Sequence, residues 1–158
     1  MADSPLKPTI AIGADHAGFR TKEIVKKYLE GEGYSLDDIG AFSEESVDYP
    51  DYARQVAERV GAEKNPWGIL ICGTGIGMAI AANKVVGVRA GVAHDSFTAR
   101  RAREHNNCNV ITFGGKTVGD DEAIEIVKEF LSAQFAGARH QRRVDKIREI
   151  EQARAQKA

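Results

Sequence analysis

The 158-residue chain has little cysteine, little proline and no long hydrophobic run. Its two cysteines, Cys72 and Cys108, are too few for a disulfide-stabilised scaffold, which favours a reducing compartment such as the cytoplasm. No run approaches the roughly 18 apolar residues of a membrane span, and the opening segment MADSPLKP lacks the apolar core of a secretory signal. We therefore expect one soluble cytoplasmic domain with no membrane partner.

A strong overall charge is also missing, because the formal net charge is only -1. Nucleic-acid-binding domains usually carry a clear basic excess, so we expect no nucleic-acid partner. The charge is uneven, however. Residues 139–158 contain seven Lys or Arg and three Asp or Glu side chains, which sum to +4, so the other 138 residues sum to -5.

Apolar segments with strand character alternate with amphipathic helical patterns along the chain. The third of these segments, WGILIC, is continuously apolar, as expected for a strand buried on both faces. Alternation of this kind gives right-handed crossovers and a parallel sheet with helices on both sides. We predict an α/β fold, a Rossmann-like three-layer α/β/α arrangement with a five-stranded parallel sheet. The predicted strands cover 9–13, 34–40, 67–72, 88–93 and 109–113, and the helix after the last strand covers 120–135.

The basic C-terminal segment carries a narrow apolar stripe, formed by Val144, Ile147 and Ile150 at helical spacing. Such a helix could lie on its own domain or pack on a second copy of the chain. We favour the second arrangement, because a sheet already covered by its own helices has little free surface. The prediction is a single domain, 1–158, with 139–158 as a C-terminal helical arm.

Polar and reactive residues follow three of the predicted strands. GADHAG (13–18) follows the first strand, CGTGIG (72–77) follows the third, and His94 and Asp95 follow the fourth. Ligands bind at the carboxyl ends of the strands in open parallel sheets. In CGTGIG, backbone N–H groups at the start of a helix could hold a phosphate or a reaction oxyanion. These groups would favour the Cys72 thiolate, a base or nucleophile, although a buried structural cysteine is the alternative.

Two common kinds of cofactor site are poorly supported. The dinucleotide fingerprint G-x-G-x-x-G fails, because Met78 and Ile80 occupy the positions of its last glycine, and the turn follows the third strand instead of the first. No short metal-ligand spacing joins the four histidines, which are His16, His94, His105 and His140. The residues therefore give little support to a nicotinamide or flavin cofactor and only weak support to a metal.

Several candidate residues also have plain structural interpretations. Asp15 and His16 could form a local turn before the first helix. His105 and Asn106 could cap the end of the fourth helix. The arginines of the last helix could be solvated, or they could make bidentate contacts with phosphate; they are Arg139, Arg142 and Arg143.

Taken together, these segments resemble the type B ribose-5-phosphate isomerases, in the sugar-phosphate isomerase group that includes the galactose-6-phosphate isomerase subunits. Five linked motifs in one order make the resemblance specific. The resemblance implies an aldose–ketose isomerase that interconverts ribose 5-phosphate and ribulose 5-phosphate through an enediolate, without a cofactor. The motifs are GADHAGF (13–19), DYPDYA (48–53), ILICGTGIGMAIAANK (69–84), REHNNCNV (103–110) and GARHQRRV (137–144).

The resemblance also assigns roles in proton transfer. Cys72 would be the base that moves a proton between C2 and C1, and Thr74 would handle protons on O1 and O2. One branch of the family uses a carboxylate in place of the cysteine, but this chain has Met78 there and resembles the cysteine branch. The turn amides would hold the enediolate oxygen; they come from the stretch that contains Gly73, Gly75 and Gly77.

Ring opening and phosphate binding involve other residues in the resemblance. His105, with Asp15, would assist ring opening, and Asn106 would contact the oxyanion or a sugar hydroxyl. Lys116 stands where many relatives have an arginine that reaches the phosphate of the neighbouring subunit's site, and lysine keeps the charge but loses the planar fork. The phosphate would be bound by His16, Arg139 and Arg143, with His140 and Tyr49 nearby.

The sequence leaves alternatives open. Tetrose or hexose phosphates and free aldoses are other substrates for the same chemistry. A thiol hydrolase would use Cys72 as nucleophile and His105 as base, and a non-catalytic subunit would only bind a phosphosugar. We expect a homodimer with shared active sites, and the choice between dimer and tetramer stays open.

Overall fold

A computed structural model describes residues 6–158, and its five strands form one parallel sheet. The strands are β1 (Ile10–Ala14), β2 (Leu36–Gly40), β3 (Gly68–Cys72), β4 (Ala90–Val92) and β5 (Val110–Gly114). Their order across the sheet is β2-β1-β3-β5-β4, with every neighbouring pair parallel. The predicted five-stranded parallel sheet is confirmed. Residues 1–5, which belong to the opening segment and to the predicted domain 1–158, lie outside the described residues.

Six helices lie within residues 6–158, and five of them cover the sheet. The six helices are α1 (Phe19–Gly31), α2 (Tyr49–Gly61), α3 (Ile76–Ala82), α4 (Ser96–Asn106), α5 (Asp120–Ser132) and α6 (Arg139–Ala155). α1, α4 and α5 enclose one core on one face, and α2 and α3 enclose a second core on the other. The three-layer α/β/α prediction is therefore confirmed. The helix predicted over 120–135 ends at Ser132 instead, because Ala133 is extended and the Ala136 N–H donates to the Glu104 carbonyl.

The strand residues divide between these two cores by simple alternation. Ile69 and Ile71 belong to the core under α1, α4 and α5, whereas Leu70 and Cys72 belong to the core under α2 and α3. Successive side chains of a strand point to opposite faces, so a strand in the middle of the sheet must be apolar throughout. This alternation places the Cys72 side chain on the same face as α3, the helix that follows it.

The chain leaves the neighbouring strands β1 and β3 toward opposite faces. After β1 it turns to α1 on one face, and after β3 it turns to α3 on the other. In open α/β sheets this divergence creates a crevice at the carboxyl ends of the strands, where ligands bind. The loop 13–18 and the turn 72–77 border that crevice.

α6 is the longest helix, with 17 residues, and it lies partly on its own domain. Val144 is buried, and the Gly87 N–H donates to the Glu151 carboxylate at 3.0 Å. Ile147 and Ile150 from the same apolar stripe remain 47% and 65% exposed. Of the predicted stripe, Val144 packs on its own domain, whereas Ile147 and Ile150 are exposed and could contact another surface. Neither α6 nor any other helix within residues 6–158 is long and apolar enough to cross a membrane.

Replacement of Gly18 by alanine should destabilise the fold strongly. A Cβ at Gly18 would lie 2.2 Å from the Ile71 carbonyl oxygen and 3.0 Å from the Cys72 nitrogen, so two backbone segments would have to separate. We expect the free energy of unfolding in urea to fall by about 3 kcal/mol. Gly31→Ala is the control, since nothing lies within 4 Å of its Cβ position. Similar midpoints for the two variants would contradict this close packing.

Candidate active site

The Cys72 thiol lies at the start of the glycine-rich turn, buried at the end of β3. The Gly75 N–H donates to its sulfur at 3.1 Å, and the Ile76 N–H donates to the Thr74 hydroxyl at 3.3 Å. Gly75 has a φ of +79°, and a Cβ there would lie 2.6 Å from the backbone of Phe113. Glycine is therefore required at this position. The turn therefore places a backbone N–H donor against the Cys72 sulfur.

Three hydrogen bonds fix the turn to β5 and to the two residues that follow it. The Gly115 N–H donates to the Cys72 carbonyl at 2.8 Å, and the Lys116 N–H donates to the Gly73 carbonyl at 3.1 Å. The third bond comes from a side chain, because the Thr112 hydroxyl donates to the Gly75 carbonyl at 2.8 Å. Thr112 was not among the residues predicted from the sequence, although a hydroxyl inside the apolar strand NVITF was a usable signal.

The loop after β1 is arranged by its own polar side chains. The buried Asp15 carboxylate accepts the N–H groups of Ala17 and Gly18, both at 3.0 Å. This is the local turn that the structural interpretation of Asp15 anticipated. His16 Nδ1 accepts the Val47 N–H at 3.1 Å. A neutral His16 ring therefore carries its proton on Nε2, which makes Nε2 a donor for a ligand.

Tyr49 and Lys116 border the turn from two sides. A Cβ at Gly77 would lie 2.6 Å from the Tyr49 ring, so the ring lies directly against that glycine. A Cβ at Gly73 would be in ordinary contact with the Lys116 side chain, at 3.6 Å. The structure thus gathers one set of predicted residues at the carboxyl edge of the sheet. This set, the thiol half-site, contains Asp15, His16, Tyr49, Cys72, Gly73, Thr74, Gly75, Gly77 and Lys116.

The other predicted residues gather where α4 ends and α6 begins. The rings of His105 and His140 stack with their centroids 4.1 Å apart and their planes 11° apart. Burial lowers the pKa of His140, and the positive charges of His105, Arg139 and Arg143 lower it further. This set, the basic half-site, contains His105, Asn106, Arg139, His140 and Arg143.

Arg101 adds a further cation to the basic half-site that the sequence analysis did not identify. Its guanidinium lies 3.5 Å from His105 Nε2 and pairs with the Glu104 carboxylate at 2.7 Å. The spacing of four residues from His105 on a predicted helix was the available signal. Arg101 also lies over the ring of Phe97, 5.0 Å from its centroid.

The two half-sites of one chain lie at opposite edges of the sheet. α4 ends at Asn106, close to the start of β5 at Val110, whereas Cys72 pairs with Gly114 at the end of β5. At about 3.3 Å per residue, β5 separates these edges by roughly 13 Å. Within one chain, the structure therefore does not bring His105 to Cys72, nor to Asp15, with which the resemblance pairs it.

Cys108 differs from Cys72 in its surroundings. It is buried against Gly91 and Ala102 in the core under α4 and α5. Burial raises the pKa of its thiol to about 11, which keeps it protonated and unreactive. Both cysteines are free thiols. Cys72 is therefore the thiol with the surroundings of a reactive group.

His94 and Asp95, which follow β4, serve the start of a helix. Asp95 Oδ1 accepts the Thr98 N–H at 2.7 Å, and the Asp95 N–H donates to the Thr98 hydroxyl at 3.2 Å, which completes a capping box. They take no part in either half-site. In the part of the chain that the structure describes, no group of three or more His, Cys, Asp or Glu is placed to hold a metal ion.

The fold and the thiol half-site define an α/β protein with a glycine-rich cysteine turn at the carboxyl edge of its sheet. Residues 10–147 match the family model described as Ribose/Galactose Isomerase, and the chain belongs to this family. It is 47% identical over 145 residues to ribose-5-phosphate isomerase B of Escherichia coli K12, covering 92% of this chain and 97% of the relative. The resemblance stated from the motifs is confirmed.

Solved structures agree with this assignment. The ribose-5-phosphate isomerase B of Clostridium thermocellum superposes with a TM-score of 0.90 at 48% identity, covering 92% of this chain and 98% of the other. The enzyme of Mycoplasma genitalium, solved with bound ribulose-5-phosphate, gives a TM-score of 0.88 at 43% identity, covering 91% and 96%. The Rossmann-like fold expected from the sequence is therefore also that of its relatives.

Proposed function

We propose that the chain is an aldose–ketose isomerase that interconverts ribose 5-phosphate and ribulose 5-phosphate, a reaction of pentose phosphate metabolism. The observation that carries the proposal is the Gly75 N–H bond to the buried Cys72 sulfur, at the mouth of the crevice between β1 and β3. The relatives named above support the choice of substrate.

Cys72 is the base in this proposal. With the sugar in its open-chain form, the thiolate takes the proton from C2, and the electron pair moves so that negative charge develops on O1. The N–H groups of the turn stabilise this enediolate. Cys72 then returns the proton to C1, while the Thr74 hydroxyl moves a proton from O2 to O1. General base catalysis of this kind contributes about 10² to 10⁴ in rate.

The basic half-site supplies ring opening and phosphate binding. His105 acts on the ring oxygen or the anomeric hydroxyl, and Asn106 contacts a sugar hydroxyl or the developing oxyanion. Burial and nearby cations lower the pKa of the stacked His140, which favours its neutral form at neutral pH. The phosphate is held by His16 and Lys116 from the thiol half-site and by Arg139 and Arg143 from the basic half-site.

A complete site then requires two chains, so we propose a homodimer. The half-sites of one chain are at opposite edges of the sheet, and a two-fold pairing would join each thiol half-site to the partner's basic half-site, giving two equal sites. Exposed apolar surface supports this pairing. Ile76 and Ile80 on α3 are 53% and 59% exposed beside the thiol half-site. A groove of about 860 Å³ runs beside Asn106 and is lined by Ile147 and Ile150.

The proposal includes catalysis in the cytoplasm without a metal or organic cofactor. Both cysteines are free, as a reducing compartment would keep them. The direct test is a coupled assay that follows ribulose 5-phosphate formed from ribose 5-phosphate in EDTA. Activity in EDTA is the expected result. Activity that requires an added divalent ion would overturn the metal-free mechanism, and no turnover under either condition would overturn the proposed function.

Replacement of Arg143 by alanine should impair binding of phosphorylated sugars selectively. A charge-assisted contact with phosphate would be lost, so we expect KM for ribose 5-phosphate to rise at least about tenfold. The effect on free ribose, measured as kcat/KM at high sugar concentration, should be small. Arg142→Ala is the matched control, since Arg142 is an exposed neighbour on the same helix. Equal losses on both sugars would rule out a phosphate role for Arg143.

A further inference from the structure

Thr112 is a polar residue in the middle of the otherwise apolar strand β5. It is completely buried, between Ile111 and Phe113, which are completely buried as well. A buried hydroxyl is costly unless it forms a hydrogen bond. Its partner here is the Gly75 carbonyl, 2.8 Å away and 37 residues earlier in the chain. The hydroxyl therefore links the strand to the catalytic turn.

The Gly75 carbonyl already has a partner within its own helix. It accepts the Ala79 N–H at 3.1 Å, the first hydrogen bond of α3. The Thr112 hydroxyl is thus not needed to satisfy that carbonyl. The Thr112 hydrogen bond instead connects Gly75 to β5, a strand in the interior of the sheet.

The turn 72–77 contains three glycines, so its backbone needs contacts that restrict its conformation. Gly75 is in the left-handed region at φ +79°, and its N–H is the group that donates to the Cys72 sulfur. Glycine has more conformational freedom than other residues, so this N–H would otherwise sample other directions. The carbonyl of the same residue is held by Thr112 from β5. A catalytic group must be held close to its productive geometry by the contacts that support it.

We propose that Thr112 is a positioning residue that keeps the Gly75 N–H directed at the Cys72 sulfur and so favours the thiolate. This inference rests on the proposed role of Cys72 as the base. Thr112 does not touch the reacting atoms and acts through Gly75. Loss of its hydroxyl should therefore affect the chemical step and its pH dependence more than substrate binding.

The test compares Thr112→Val, which keeps the shape and removes the hydroxyl, with Thr112→Ser, which keeps the hydroxyl. We expect Thr112→Val to lower kcat for ribose 5-phosphate about tenfold with KM changed less than about twofold. The ascending limb of the pH–rate profile of Thr112→Val should shift to higher pH by about one unit. Thr112→Ser should restore the wild-type limb and most of kcat. Equal impairment of both variants, or a wild-type limb in Thr112→Val, would overturn the proposal.

A second readout needs no substrate and separates this inference from the proposed function. In a Cys108→Ala background, the rate of Cys72 alkylation by iodoacetamide is followed by intact mass as a function of pH. The midpoint should move up by about one pH unit in Thr112→Val and return in Thr112→Ser. The same midpoint in all three proteins would overturn the positioning role. Absence of isomerase activity in the wild type, with the midpoint shifted as expected, would overturn only the proposed function.

Discussion

Cys72→Ala should lower kcat for ribose 5-phosphate by about 10³-fold while the protein stays folded. The thiol is the base in the proposed mechanism, and its sulfur accepts the Gly75 N–H at 3.1 Å. Cys72→Ser should be nearly as inactive, because a hydroxyl gives up its proton far less readily than a thiol. The measurement is the coupled assay, with circular dichroism to confirm folding.

Cys108→Ala is the matched control for this experiment. Cys108 is also a buried free thiol, but it lies in the other core and carries a raised pKa of about 11. Its loss should cost some stability and leave kcat close to wild type. Full activity in Cys72→Ala would remove Cys72 as the base. A collapse of kcat in Cys108→Ala with intact folding would place the essential thiol elsewhere.

Two inactive variants should restore activity when they are paired in one dimer. Cys72→Ala damages the thiol half-site, and His105→Ala damages the basic half-site at the opposite edge of the sheet. If each active site takes one half-site from each chain, a heterodimer contains one site with both lesions and one intact site. Heterodimers purified through two different tags should therefore show about half the wild-type activity.

The control pairs Cys72→Ala with Cys72→Ser. Both lesions then fall in the same half-site, so every site in that heterodimer is damaged and activity should stay at the level of the single variants. No recovery in the Cys72→Ala and His105→Ala heterodimer would show that each site is built within one chain. That result would contradict the proposed shared site.

Much of the fold could be predicted because its signals are local. The continuously apolar run WGILIC predicts a central strand, and β3 is indeed buried along its whole length. The alternation of strands and helices restricted the topology to a parallel sheet with covered faces. The predicted ends of the elements were less accurate. The helix predicted over 120–135 ends at Ser132, because Ala133 is extended and the Ala136 N–H donates to the Glu104 carbonyl of α4.

The candidate site could be predicted in part for the same reason. The turn 72–77 is contiguous in sequence, so its thiol and its N–H groups could be identified together. Residues of the basic half-site come from α4 and α6, and the stacking of His105 on His140 joins positions 35 residues apart. The stacking follows from no local pattern, whereas the Arg101 approach to His105 was signalled only by their spacing of four residues on one helix.

The sequence by itself determined the α/β class and the glycine-rich cysteine turn, because each depends on neighbouring residues or on a short hydrophobic period. It also determined the family, through five motifs in one order along the chain. The tertiary structure decided which candidates lie together. It separated His105 from Cys72 by the length of β5 and tied Gly75 to Thr112. Such contacts depend on how distant elements pack, and packing is set by the whole core instead of by any one segment. The structure also distinguishes the two cysteines, because they lie in different cores and only Cys72 faces the glycine-rich turn.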